Sequence, residues 1–481
     1  MSEPSVPSEL SDLVVATADG SVRGAATSDG AVRRFLAVPY AAPPRGIGRF
    51  APPLPHAPWT GVRDAVAPGP TAPQPRRDAF GALDMSPYFG PGWIRGDDHL
   101  TVNVWAPRDA ERCPVMVFVH GGGFVAGSGR APLYDGAAFA RDGVVLVTLN
   151  YRLGIAGFLD LPGAPPNRGL LDVIAALRWV RRTIEVFGGD PGNVTLFGQS
   201  AGATLVAGLL AEPSAAGLFR RAIVQSGSGL GAFSPEQAAR VTHAAAAALG
   251  TAPTAAAFAT VPDDQLIAVI PELSGLDLRT PDHPDPLMGL SPFSLVCERQ
   301  PAESPLARVG LLVGTNTEEA NLYLAPQGNL TTSTAEDVRR TAAAASDQPE
   351  ALIAATRNRR PGAGHGEVRS ALLADALFGN GSRRLAEAHG DAHVYEFGWR
   401  SPAVDGHLGA AHTVELPFVF DRLDLAELRG PRGLLGPAEP PASLAAELHA
   451  AWVAFARSGD PGWPPYGPER RVHRFGTDGR S

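Results

Sequence analysis

The stretch VTLFGQSAGATLVAGLLA, Val194 to Ala211, passes from strand character to helix character across five residues, Gly198-Gln199-Ser200-Ala201-Gly202. A β-rich apolar run feeding directly into a helix requires a sharp turn at the joint, with the helix packed back onto the sheet. Gly198 and Gly202 remove side chains that would clash in such a turn, and Ala201 is small for the same reason. The pattern G-x-S-x-G alone also describes an ordinary turn. In this context it lifts the Ser200 oxygen above a sheet edge, where the following helix points its first N–H groups at any developing negative charge.

The neighbouring sequence repeats the strand–loop–helix pattern. LTVNVWAP, VMVFVH, VVLVTLNY and VTLFG are short buried-strand runs, and RAIVQSGS, VGLLVGTN and AHVYEFGW add three more. GLLDVIAALRWVRRTIEVFG spaces Leu170, Val173, Leu177, Val180 and Ile184 as one helix face. The alternation predicts an α/β fold with a large, mostly parallel sheet covered by helices on both faces. Before it, Asp-Gly pairs between β-type segments predict N-terminal antiparallel hairpins. Residues 41–92, rich in Pro and Gly, read as irregular surface wrapping, and residues 1–10 as a disordered tail. Ala-rich stretches across 235–380 predict a helical cap or flank, and SLAAELHAAWVAFARSG a terminal helix. No internal repeat is visible, so residues 11–475 are expected to form one catalytic domain.

Composition excludes several chemistries. The 481 residues carry a net charge of −8 with no basic patch, which argues against nucleic acid. All cations are arginine; without lysine there is no Schiff base, Ser-Lys dyad or P-loop lysine. Cys113 and Cys297 make no disulfide framework and read as buried free thiols. The acidic start MSEPSVPSEL has no signal-peptide pattern, and no apolar run reaches membrane-spanning length. A cytoplasmic protein is expected, with no cofactor, no metal and no membrane partner. His99, His243, His365 and His473 read as ordinary polar residues, because no metal-ligand spacing such as H-E-x-x-H occurs.

A second element belongs with Ser200. VMVFVHGGGFVAGS ends a strand in His120-Gly121-Gly122-Gly123-Phe124, and successive glycines let backbone N–H groups turn toward one oxygen, as a tetrahedral intermediate needs. Taken with these elements, FGGDPGNVTLFGQSAG resembles the active-serine signature of the type-B carboxylesterases, the family that includes cholinesterases and bacterial p-nitrobenzyl esterases. GDDHLTVNVWAP resembles its second signature, and FLAVPYAAPPRGIGRFAPP, NYRLGIAGFL and GLLDVIAALRWV its other recurrent blocks, from about residue 14 to about residue 466.

The resemblance implies the α/β-hydrolase fold and a Ser-Glu-His triad in that chain order. Ser200 is the nucleophile; VGTNTEEANLY gives Glu319, with Glu318 the alternative; GAAHTVELPFVF gives His412, with His407 a surface decoy. His412 would take the Ser200 proton and return it to the leaving alcohol, while Glu319 fixes its tautomer. The resemblance carries over the N–H groups of Gly122, Gly123 and Ala201 as the oxyanion hole.

Departures from the family pattern shape the expected substrate. His99 stands where secreted members have a disulfide cysteine. Gln199 replaces the glutamate that cholinesterases place beside the serine, which removes a charge favouring cations. Trp93 does not match the choline-stacking tryptophan, and Val173 replaces a common glutamine without catalytic consequence. Ser226 resembles a serine set behind the triad. Phe124 is either a pocket wall or a core aromatic, and Pro286–Val296 is placed on the acyl side although it lacks the family's Asp-Gly.

The function implied is a serine carboxylesterase that hydrolyses uncharged carboxylic esters through an acyl-enzyme. Alternatives on the same triad are an acyltransferase or a lactone, carbamate or thioester hydrolase; outside catalysis, the alternative is a binding module of the same fold. The expected partner is a small-molecule ester, and the expected state a monomer or homodimer.

Overall fold

The computed structural model describes residues 13–477; the expected tail, residues 1–10, lies outside them. The strands in chain order are β1 (Leu13–Ala16), β2 (Ser21–Ala26), β3 (Val32–Pro39), β4 (Val62–Asp64), β5 (Ala79–Phe80), β6 (Leu83–Asp84), β7 (Thr101–Pro107), β8 (Cys113–Val119), β9 (Val145–Leu149), β10 (Gly189–Gln199), β11 (Arg221–Gln225), β12 (Gly310–Asn316), β13 (Ala392–Phe397) and β14 (His473–Phe475). Twelve of them form one sheet in the order β1-β2-β3-β7-β9-β8-β10-β11-β12-β13-β14, with β4 paired to β2. Pairing is antiparallel from β1 through β9 and parallel from β9 to β14. The hairpins and the parallel body therefore fall where the sequence puts them.

Alternation within the central strands explains the two-sided covering. Val115, Val117 and Val119 of β8 enter one apolar cluster, while Met116 and Phe118 enter the cluster on the opposite face. Side chains of a strand point alternately to the two faces, so a strand apolar at every position needs cover on both. Helices Arg168–Thr183 and Ala201–Leu210 supply Val173, Leu177, Leu205 and Leu209 to the first face. Helix Ala442–Ser458 supplies Leu448, Trp452 and Phe455 to the second.

A buried ion pair ties the strand ends to the first helix layer. Arg152, in the loop after β9, donates from Nε to Asp172 Oδ2 at 2.8 Å and from Nη2 to Oδ1 at 2.7 Å, and its backbone N–H adds a third bond to Oδ2 at 2.9 Å. Both side chains are almost fully excluded from solvent. Paired and bidentate, the two charges offset much of each other's desolvation cost.

The strand read from VGLLVGTN is β12, which interrupts the helical segment 235–380 and joins the sheet between β11 and β13. Two expectations about the chain course are corrected. The terminal helix does not end the chain's ordered elements, since β14 follows it and pairs with β13. Residues 41–92 are irregular, but they do not simply wrap the surface; part of that segment turns inward, as described below. Cys113 and Cys297 are unpaired and only partly buried.

Candidate active site

Register brings the two predicted elements together. Val119 at the end of β8 pairs with Gly198 in β10, so the glycine loop and Ser200 leave neighbouring parallel strands at the same level. Gly202 is needed for this approach: a Cβ there would lie 2.0 Å from the Val119 carbonyl oxygen. At Gly122 the backbone has φ +116° and an added Cβ would meet Ala126 O at 1.9 Å, so no other residue fits either. Ser200 itself sits at φ 58°, ψ −126°, a conformation that L-residues avoid, with its N–H bonded to Gln225 O at 3.0 Å. That strained turn places the hydroxyl at the start of helix Ala201–Leu210.

Glu319 and His412 arrive from the carboxyl ends of β12 and β13, where ligand sites of open α/β sheets form. Glu319 is three residues beyond β12; its Oε1 accepts the Asn316 N–H at 2.7 Å. His412 lies in the long loop after β13, and its N–H bonds Glu319 O at 3.0 Å. His412 Nδ1 lies 2.6 Å from Glu319 Oε2, with both side chains buried. Because the carboxylate only accepts, Nδ1 carries a proton, and in the neutral ring Nε2 therefore carries the lone pair.

Ser200 and His412 line one cavity together with Gly122, Gly123 and Ala201. Among the described residues, Ser200 Oγ makes no hydrogen bond, and His412 Nε2 instead takes the Gln199 side-chain amide at 3.2 Å. Gln199 is fully buried, and its Oε1 accepts the Tyr88 hydroxyl at 2.7 Å, which fixes the amide with its NH2 toward the imidazole. Gln199 thus touches the histidine and does not line the cavity. The N–H groups of Gly122, Gly123 and Ala201 donate to no protein acceptor among the described residues, so three free donors belong to one cavity wall.

The alternatives separate cleanly. Glu318 turns away from the imidazole, forms an ion pair with Arg400 and accepts the Ala410 N–H at 3.0 Å. His407 is exposed. Phe124 does both of the jobs considered for it, lining the cavity while its ring packs 4.9 Å from Phe158. Leu287, Leu290 and Ser291 bring the Pro286–Val296 segment to the cavity, and Ser291 Oγ bonds Gly123 O at 2.6 Å. Trp93 stands outside it, partly exposed with Arg95 stacked 4.1 Å from its ring. Ser226 is buried at the end of β11 with φ 50°, but its Oγ bonds none of the described residues and it does not reach the cavity wall.

Several cavity residues were not legible beforehand. Arg77, Phe80, Tyr88 and Phe89 come from the Pro- and Gly-rich segment that read as surface. Phe378 stacks on His412 with ring centroids 4.4 Å apart and planes at 16°, and it sits in a single π-helical turn, Asp375–Gly379. Such turns often mark sites, yet no sequence pattern announces one. Behind Glu319 lies a second carboxyl, Glu415, whose Oε2 accepts the Asn316 amide at 2.7 Å. Burial, then the nearby Glu319 charge, raise its pKa to about 7. Burial also pushes His120 down to about 4, so this ring stays neutral at the base of the glycine loop, stacked on Tyr151. Among the described residues, no group of three or more His, Cys, Asp or Glu could hold a metal ion.

A parallel sheet carrying a serine on a strained strand–helix turn, faced by a carboxylate-bound imidazole, defines an α/β-hydrolase of the ester-hydrolase class. Residues 11–474 match the carboxylesterase family. The chain is 35% identical over 484 residues to the para-nitrobenzyl esterase of Bacillus subtilis, covering 96% of this chain and 94% of that protein. It is 35% identical over 440 residues to the phenmedipham hydrolase of Pseudarthrobacter oxydans, covering 89% and 86%. Among solved structures, a Geobacillus stearothermophilus carboxylesterase superposes with a TM-score of 0.80 at 33% identity, covering 96% of each chain. The chain belongs to the carboxylesterase family, and it is a carboxylic ester hydrolase.

Proposed function

We propose that Ser200, His412 and Glu319 form the catalytic triad of a small-molecule esterase acting on uncharged carboxylic esters. The observation that carries this reading is the His412–Glu319 contact, which leaves an imidazole lone pair in the same cavity as an unbonded serine hydroxyl. On substrate entry, His412 Nε2 exchanges the Gln199 amide for the Ser200 hydroxyl and takes its proton as Oγ attacks the carbonyl carbon. Contacts of this kind often tighten only in the complex. The tetrahedral oxyanion is stabilised by the N–H groups of Gly122, Gly123 and Ala201, at the positive end of helix Ala201–Leu210. His412 then protonates the leaving alcohol. A water, deprotonated by the same nitrogen, cleaves the acyl-enzyme in the mirror sequence.

The cavity wall supports an ester without a positive charge: it is largely apolar and carries no acidic side chain. The test is the release of p-nitrobenzyl alcohol from a short-chain ester by the parent protein and by Ser200→Ala. Removal of the hydroxyl is expected to lower turnover by on the order of 10⁴ to 10⁶; activity within tenfold of the parent contradicts the assignment.

We also propose that the protein acts in the cytoplasm, as a monomer or homodimer. Two unpaired cysteines support the location, and no helix among the described residues is long and apolar enough to cross a membrane. Cell fractionation and light scattering of the purified protein test both statements.

A further inference from the structure

Among the described residues, the arginine of the cavity has no acidic partner. Arg77 lines the wall that also holds Ser200 and Gly123, and its Nη1 is close enough that a Cβ built on Gly123 would lie 3.5 Å away. Its guanidinium stacks 4.8 Å from the Phe80 ring and 5.4 Å from Phe89. Among the described residues it makes neither an ion pair nor a hydrogen bond, and no Asp or Glu lines the cavity. Glu319 is held by His412 and Asn316, and Glu415 by Asn316.

A second cleft adjoins the first and shares Arg77, Phe80, Leu290 and Tyr323 with it. Arg340 and Arg369 stand on its wall, again with no acidic residue. Arg369 bonds only hydroxyls, Ser333 Oγ at 3.1 Å and Thr341 Oγ1 at 3.3 Å, while Arg340 faces Asp337 across an exposed 3.4 Å pair. In a chain of net charge −8, two adjoining clefts lined by three arginines, of which Arg340 alone has an acidic partner, make a locally basic approach to the nucleophile. Holding a partly buried guanidinium without a counter-ion is costly, and stacking on two rings offsets only part of that cost. An entering carboxylate would supply the missing partner, with the two-pronged geometry that arginine matches.

From this arrangement we infer that Arg77 is a specificity-determining residue that binds the carboxylate of esters carrying one, so that the enzyme prefers such esters over neutral esters of the same shape. The inference rests on the esterase reading and departs from it in one respect: the bond cleaved is still that of a neutral ester group, but the preferred substrate is not wholly uncharged, since it carries an anion as a second group on the acyl or alcohol part.

The experiment compares matched substrates on the purified full chain at pH 7.5 and low salt. Mono(4-nitrobenzyl) glutarate against 4-nitrobenzyl valerate probes an anion on the acyl side; 4-carboxybenzyl butyrate against 4-carbamoylbenzyl butyrate probes the alcohol side. In at least one pair, kcat/KM is expected to favour the carboxylate by tenfold or more, mainly through KM, and 0.5 M NaCl should shrink the preference. Arg77→Met is expected to lower that ratio by tenfold or more, and Arg77→Lys to keep part of it. Independently of any variant, benzoate should inhibit the parent competitively at lower concentration than benzamide. Equal or reversed preference in both pairs, a ratio unmoved by Arg77→Met, or equal inhibition by benzoate and benzamide overturns the inference. Loss of turnover on every ester overturns the esterase reading along with it, whereas turnover of neutral esters without anion preference overturns this inference alone.

Discussion

Glu319 holds His412 by its Nδ1 at 2.6 Å, and the same residue's carbonyl receives the His412 backbone N–H. Two contacts from one residue thus fix both the ring and the loop that carries it. Glu319→Gln keeps the shape but can donate to Nδ1, which selects the wrong tautomer. A fall in kcat of about 10³ to 10⁴ is expected, with KM changed by only a few fold. Steady-state kinetics on a p-nitrobenzyl ester check this.

Gln199 donates to His412 Nε2 because Tyr88 holds its oxygen. Gln199→Glu places a carboxylate beside the imidazole, and an acceptor of negative charge favours the imidazolium. The acid limb of the pH–kcat/KM profile is expected to move to higher pH. Tyr88→Phe, which frees the amide to rotate, should lower kcat without that shift.

Glu415 makes stability depend on pH. Its folded pKa of about 7 is above its ordinary value, so the folded state binds this proton more tightly than the unfolded chain does. The contribution is complete below about pH 4.5 and is lost as pH rises through about 7. Its size is on the order of 3 kcal/mol. Urea midpoints measured from pH 5 to 8 should fall with pH in the parent and fall less steeply in Glu415→Gln.

Asp172→Ala leaves Arg152 buried without its carboxylate. A loss of about 3 to 5 kcal/mol is expected, because an uncompensated buried charge costs more than the pair contributes. Thermal unfolding with activity measured in parallel tests it. The loss should appear as a lower melting temperature, while the protein that stays folded keeps its turnover.

What the sequence made legible depends on how local the determining physics is. The apolar runs of β8 to β13 and the G-Q-S-A-G turn were readable because strand burial and a strained turn both impose composition on adjacent residues. Glu319 and His412 lie 93 residues apart, and it was the family resemblance of their surrounding blocks, not periodicity, that paired them. The inward course of Arg77 to Phe89 was not legible, since Pro- and Gly-rich chain has no repeating pattern that states which side faces a cavity. The same holds for Phe378, whose stack on His412 depends on a one-residue irregularity within a helix. The β14 strand is three residues long, and an edge strand that short carries too few side chains to alternate visibly.

The central claim is that Ser200 attacks the substrate with His412 as its base. A p-nitrophenyl alkylphosphonate, which reacts with an activated serine and stays attached, tests it most directly when the labelled protein is digested and the modified peptide is sequenced by mass spectrometry. Stoichiometric labelling at Ser200 is expected, with loss of esterase activity in proportion to labelling and labelling at least about 10³-fold slower in His412→Ala. Labelling at another residue, or at Ser200 with equal speed in parent and His412→Ala, contradicts the claim.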